Sequence, residues 1–269
     1  MRRMKEVACL VLSATMLMTA ATLPIASAAA SMPAGIVEEC NGEDAAPTAE
    51  SVADLIAQIG DVTLSSGGKI DKAATAYSQL DEASRALVPN VDVLTEAQQV
   101  FQLEQALEPL YIARDDIEQK TVIAPQKDLV KLRRVAVMPI FVYSDSQGLS
   151  PLRIVAEYYG DRWVFFQQIV ISTDGESYTK SFASNEVSRD NAYGYVWEWS
   201  EFDASDEEIG VLQKMASAKK TVLRYKGKRV YDLQIGKRDK KCIADTLNAY
   251  RLMQNASETV RAKALAGVQ

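Results

Sequence analysis

Histidine is missing from all 269 residues of this chain, and that absence removes more chemistry than any residue present supplies. Ser-His-Asp and Cys-His nucleophilic systems, His-ligated zinc and a histidine general base are excluded together. Carboxylate chemistry, lysine chemistry or an oxygen-ligand site for a hard cation remain open, and none of them has a diagnostic spacing here. Phosphate-cradling glycine motifs are also lacking, and no cofactor is expected. Cysteine is scarce, at three residues. After the first apolar run no second stretch of about 18 apolar residues follows, so no transmembrane segment is expected in the processed chain.

What is present begins with an export signal. Arg2, Arg3 and Lys5 form a basic start, Val7 to Ala21 an apolar run, and Ala26-Ser27-Ala28 a small-residue cleavage site. Neither Cys9 nor Cys40 directly follows an apolar run, so neither resembles a lipidation site. Residues 1–30 hold Arg2, Arg3, Lys5 and Glu6, so their removal takes the formal charge from -6 to -8. An acidic chain is poorly suited to a phosphate backbone, and nucleic acid is not an expected partner. Cleavage leaves Cys40 and Cys242, which an exporting compartment would let bridge. The competing reading makes Cys242 a small buried hydrophobe in a helix and Cys40 a thiol on a flexible tail.

Residues 31–50 hold Pro, Gly, Ala, Glu and Asp without apolar periodicity, the pattern of a flexible acidic tether. Helical spacing starts at Ser51 with Val52, Leu55, Ile56 and Ile59, and Gly60 closes the run. A second helix carries Ile70, Ala73, Ala74, Tyr77 and Leu80 on one face. Asp81 caps a short turn that Pro89-Asn90 ends, and a third helix is expected from Thr95, with Gln98 completing a capping box. Pro109 to Lys127 is expected to be a helical connector, with the domain boundary between Gln119 and Leu132.

The strings Ile59-Gly60-Asp61-Val62-Thr63-Leu64-Ser65, Ala73-Ala74 with Tyr77, and Leu87-Val88-Pro89-Asn90 followed by Leu94-Thr95-Glu96-Ala97 carry a resemblance. Residues 51–105 are similar to a small helical module of bacterial secreted and surface proteins of the Gram-positive type. The resemblance implies a spacer or adhesion-type module and no catalytic residues. Ser66-Gly67-Gly68 departs from the module where an acidic residue usually supports the helix start, and two glycines there are expected to delay the second helix.

The second half is β-rich. Strands are expected at Arg134 to Val142, Leu152 to Tyr159, Trp163 to Thr173, Ser177 to Phe182, Tyr193 to Phe202, Thr221 to Tyr225 and Arg229 to Ile235, with hairpin turns at Asp174-Gly175 and Lys226-Gly227-Lys228. A helix capped by Ser205 and Glu208 and another over Arg238 to Gln254 punctuate them. The fold class is therefore α+β: a small N-terminal helical bundle in residues 51–125, connector included, then an antiparallel sheet with two packed helices in residues 130–257. Residues 152–250 also resemble an uncharacterised module of bacterial exported proteins, on Trp163-Val164-Phe165, Ser172 to Tyr178, Val196-Trp197-Glu198-Trp199 and Arg224-Tyr225 with Gly227. That likeness implies a folded unit alone.

Two candidate binding features stand out. Tyr193, Tyr195, Trp197 and Trp199 recur with the period of a strand, so one face of it presents four aromatics, either to a sugar ring or to the core. Lys228, Arg229 and Arg238 belong to a basic run, Lys226 to Lys241, that can meet an anionic wall polymer or stand as a solvated face. Glu198, Glu201 and Asp203 beside the stripe are the carboxylates a glycosidase would need, with a solvated strand end as the competing reading. Asp145 to Gly148 matches only a fragment of a calcium loop, and Arg224 is expected to pair with Glu198 or Glu157. The functional expectation is an exported, non-catalytic binding protein, secreted or held at the cell envelope, with cell-wall glycan or another surface protein as partner. The alternative is a carboxylate-dependent glycan hydrolase.

Overall fold

The structure, a computed structural model, describes residues 46–125 and 136–268. The export-signal features, Cys40 and most of the acidic tether lie outside these residues. The fold is mixed helix and antiparallel sheet, α+β, with seven helices among the described residues.

Helix α1 (Ala49–Ala57) starts two residues earlier than expected, because Thr48 and Ser51 cap each other reciprocally: each side-chain oxygen accepts the other's backbone N–H. Helix α2 (Gly67–Gln79) begins directly at the glycines expected to delay it. A Cβ at Gly67 would overlap the Phe101 ring, so the packing requires a glycine at this first helical position. Asp81 caps α3 (Glu82–Arg85) through the Ser84 N–H, as expected. Helix α4 (Val91–Leu107) starts four residues before Thr95, so Thr95 is interior and its hydroxyl donates to the Val91 carbonyl. Val52, Ile56, Ile59, Ile70, Ala73, Leu80, Leu94 and Ala97 bury one another in a core of their own.

The expected helical connector is instead a β-hairpin, β1 (Leu110–Asp115) and β2 (Lys120–Pro125). Thr121, Val122 and Ile123 are β-branched and favour the extended backbone. The polar turn is closed by Asp115, whose carboxylate accepts the N–H groups of Ile117 and Glu118. The sheet therefore begins at Leu110, upstream of the expected boundary.

The remaining elements are β3 (Ala136–Ser144), β4 (Gly148–Leu149), β5 (Arg153–Gly160), β6 (Gln168–Thr173), β7 (Glu176–Ser181), β8 (Ser188–Ala192), β9 (Tyr195–Asp203), α5 (Asp206–Ser217), β10 (Thr221–Lys226), β11 (Val230–Gln234), α6 (Lys237–Asn255) and α7 (Glu258–Gly267). One antiparallel sheet runs β1-β2-β3-β5-β9-β8 with β4 beside β3, and a second runs β11-β10-β6-β7. Ile154, Ala156 and Tyr158 of the first sheet share one core with Ile169, Ile171, Leu223 and Tyr225 of the second. Helices close that core with Leu103 and Leu107 of α4, Leu212 and Met215 of α5, Met253 of α6 and Val260 of α7. Tyr225 is fully buried, and its hydroxyl donates to the Ala136 carbonyl, joining the two sheets.

Helix α5 carries the expected Ser205–Glu208 capping box. Glu208 is buried and accepts from Lys180 at 2.8 Å, Tyr178 at 2.9 Å and the Ser205 N–H at 2.8 Å. Burial pushes its carboxyl up, but these donors together outweigh burial and hold its pKa at about 2. Helix α7 lies along α4, with a Lys263–Glu96 ion pair on the outside. Inside that contact Glu104 is fully buried, and neither of its carboxylate oxygens has a hydrogen-bond partner among the described residues. Gly267 comes so close that a Cβ there would overlap one of them. Burial pushes the Glu104 carboxyl up.

Candidate functional site

The expected long strand from Trp163 to Thr173 is shorter in the structure. It begins only at Gln168, and residues 161–167 form a loop between β5 and β6. Phe165 sits at φ +52°, a left-handed conformation rare for an aromatic residue, so something must hold it there. That something is Glu198. Its Oε1 accepts the N–H groups of Val164 and Phe165, both at 2.7 Å, and its Oε2 accepts the Phe166 N–H at 2.9 Å. Three successive backbone donors converging on one carboxylate make an anion nest, filled by a side chain of the protein itself. Arg189 completes the shell with Nε 3.2 Å from Oε2 while its other nitrogens donate to the Val187 and Phe166 carbonyls. Glu198 is fully buried, so four donors offset its desolvation.

A second set of contacts fastens this loop to the β10–β11 turn. Gln168 is in register with Lys226, which obliges the residues before one and after the other to meet. The Gln167 N–H donates to the Lys226 carbonyl at 3.0 Å, and the Arg229 N–H donates to the Val164 carbonyl at 3.2 Å. At Gly227 the two backbones approach so closely that a Cβ would overlap the Phe165 carbonyl oxygen. On the other side the Tyr158 hydroxyl donates to the Arg162 carbonyl at 2.9 Å.

The outcome is an open groove of about 490 Å³ lined by Asp161, Arg162, Trp163, Phe165, Lys228 and Arg229. Its volume falls in the ~300–1,000 Å³ range of ligand clefts. Trp163 and Phe165 stack within it, with ring centroids 5.5 Å apart and planes 24° from parallel. Lys228 Nζ stands 4.9 Å from the Phe165 centroid and the Arg189 guanidinium 5.7 Å from it, both in cation–π contact. Phe165, Lys228 and Arg229 are exposed and Trp163 is half-buried.

The sequence-predicted residues divide on these facts. Lys228 and Arg229 line the groove. Arg238 lies in α6, past the far end of β11, so the basic run is split between two ends of one strand. Within its second part, Lys240 donates to the Ala218 and Lys219 carbonyls and Lys241 pairs with Asp245. Along the aromatic stripe, Tyr195 is exposed and stacks on Tyr159 at 5.2 Å, Trp197 is only 8% exposed, and Trp199 is half-buried. Tyr193 stands fully exposed in the β8–β9 turn at φ +53°. The Tyr159–Tyr195 stack is at the same end of the sheet as the groove, because the loop leaves β5 immediately after Gly160.

Of the carboxylates beside the stripe, Glu198 fills the nest, and Glu201 and Asp203 pair with Arg153 at 2.8 and 3.5 Å. Arg224 pairs in a bidentate manner with Asp232, at 2.6 Å for each contact, and not with Glu198 or Glu157. Asp145 of the calcium-like fragment is held by Arg114, which keeps its carboxyl below the usual range. Among the described residues no group of three or more Cys, Asp or Glu is arranged to hold a metal ion. Cys242 is buried, and its thiol donates to the Arg238 carbonyl at 3.0 Å; its expected partner Cys40 lies outside the described residues.

Trp163 and Phe165 were legible only as strand residues, and no local signal marks their loop except Gly160-Asp161 just before it. No family model matches this chain, and no curated protein or solved structure matches it.

Proposed function

We propose that this chain is an exported, envelope-associated binding protein without catalytic activity, and that the groove between residues 161–167 and the β10–β11 turn is its ligand site. The observation that carries this reading is the construction of the groove. A buried ion pair, a strained aromatic residue and a glycine contact are all used to hold Trp163 and Phe165 beside Lys228 and Arg229. Strain of this kind costs about 1–3 kcal/mol and persists where the surroundings over-determine it. Glu198, beneath the groove, has its acceptor positions committed to the loop and to Arg189, and Asp161, the one acid among the lining residues, stands 3.6 Å from Arg162.

The N-terminal pattern of basic, apolar and small residues supports export. Helices α1 to α4, with a core of their own, support the reading of residues 51–105 as a helical module that spaces or docks the β-rich part. The partner in this reading is a surface polymer.

Cosedimentation of the full chain with purified, insoluble bacterial cell walls tests the proposal. Retention is expected, with a loss of about tenfold in apparent affinity for Trp163→Ala and for Lys228→Ala/Arg229→Ala. Retention that is absent, or unchanged in both variants, would contradict it.

A further inference from the structure

We infer that the groove takes an acidic sugar, a pyranose ring carrying a carboxylate within a polysaccharide; the inference rests on the binding reading above. Two demands on the ligand follow from the lining. Trp163 and Phe165 stack on each other, and the part of these rings left open to the cleft, with Phe165 exposed and Trp163 half-buried, is apolar surface that suits a ring with an apolar face rather than a branched or extended chain. Arg162, Lys228 and Arg229 stand around it, and Asp161, the one acid among the lining residues, is 3.6 Å from Arg162. The local charge is therefore positive in a chain whose formal charge is -6, and it selects an anion.

A carboxylate fits these cations. A guanidinium fork matches a carboxylate in a bidentate manner, and Arg162 and Arg229 come from opposite walls of the groove, one from the β5–β6 loop and one from the β10–β11 turn. A ring bearing an anion at its edge would rest on the aromatics while its charge reached either wall. Polyanions without rings satisfy the cations and leave the aromatic surface unused. Neutral glycans do the reverse. Single-stranded nucleic acid would satisfy both, so oligo-dT is the competing probe that decides between them.

The experiment is calorimetric titration of the full chain with four probes: a hyaluronan oligosaccharide, a chitin oligosaccharide of equal length, polyphosphate and oligo-dT. Hyaluronan and chitin share the N-acetylglucosamine ring, and the carboxylated sugar distinguishes them. The expected order places hyaluronan at least about tenfold tighter than each of the other three. Trp163→Ala should cost about tenfold or more, and Lys228→Ala/Arg229→Ala should do the same and remove most of the weakening seen between about 0.05 and 0.5 M salt. The double variant lies wholly on the surface, so it keeps the test valid if Trp163→Ala unfolds.

Chitin binding as tightly as hyaluronan would overturn the inference, as would tighter binding of polyphosphate or oligo-dT. Cell-wall retention that depends on Trp163 without any preference for hyaluronan overturns the ligand class and leaves the binding reading standing. Loss of both overturns both.

Discussion

Among the described residues two carboxylates are fully buried, Glu198 and Glu104, and their surroundings are opposite. Glu198, where the first sheet meets the 161–167 loop, receives three backbone N–H groups and an arginine. Glu104, between α4 and α7, receives none from the described residues. A buried ion costs several kcal/mol of solvation, recovered only where donors are aimed at it. Glu198 is therefore an anchor, and the structure around it is arranged to need its charge. Glu104 is tolerated rather than used, and burial pushes its carboxyl up. The difference teaches that burial alone does not mark a functional carboxylate; the geometry of its donors does, and here that geometry leads to the groove.

The largest effect in this comparison should come from Glu198→Ala. It leaves Arg189 and three backbone N–H groups without their acceptor and should cost about 3–5 kcal/mol. In a chain of this size that is a fall in Tm on the order of 10 °C. Hydrogen exchange should locate the damage, with amides 164–166 losing protection first. A variant with unchanged Tm would end the anchor reading.

Glu208 should dominate the acid limb of stability. Its folded pKa of about 2 lies below the ordinary glutamate value of 4.5, so its contribution is present above about 4.5 and is lost as pH falls towards 2. About 3 kcal/mol should disappear over that window in urea titrations, and Glu208→Gln should flatten it. Glu104 has the opposite sign. Its folded pKa is raised, so stability is full below the unfolded value and declines as pH rises through the folded one. Glu104→Met should remove that decline and stabilise the protein by about 1–3 kcal/mol near neutral pH. Destabilisation there would mean that the charge has a partner in solution.

The smallest stability effect belongs to the groove itself. Lys228 and Arg229 are exposed, so their double alanine variant should keep its stability within about 0.5 kcal/mol while losing cell-wall retention. That separation divides anchor from binding surface.

Much of the fold could be read locally. Hairpin signals at Asp174-Gly175 and Lys226-Gly227, the Ser205–Glu208 capping box and the alternation in β6 and β10 all report short-range physics, and the structure has those elements. Misreadings occurred where a distant contact decides. Residues 110–125 form a hairpin whose second strand pairs with β3, and Gly67 opens α2 where the Phe101 ring leaves no room for a Cβ. Strand β8, Ser-Arg-Asp-Asn-Ala, has no apolar pattern and exists only as an edge beside β9. The groove was half legible: Lys228 and Arg229 were conspicuous as charge, but their meeting with Trp163 depends on the β6–β10 register, and the turn of the backbone at Phe165 depends on a glutamate 33 residues away.

Ligand is expected to meet the protein at the Trp163 groove and not on the aromatic stripe of β9. The chain has three tryptophans, Trp163, Trp197 and Trp199, so its indole N–H signals in a proton–nitrogen NMR spectrum report on both places at once. Adding a hyaluronan oligosaccharide to the full chain should shift the Trp163 indole and leave those of Trp197 and Trp199 in place. A shift at Trp197 or Trp199 with Trp163 unmoved, or no shift at all, would contradict the account.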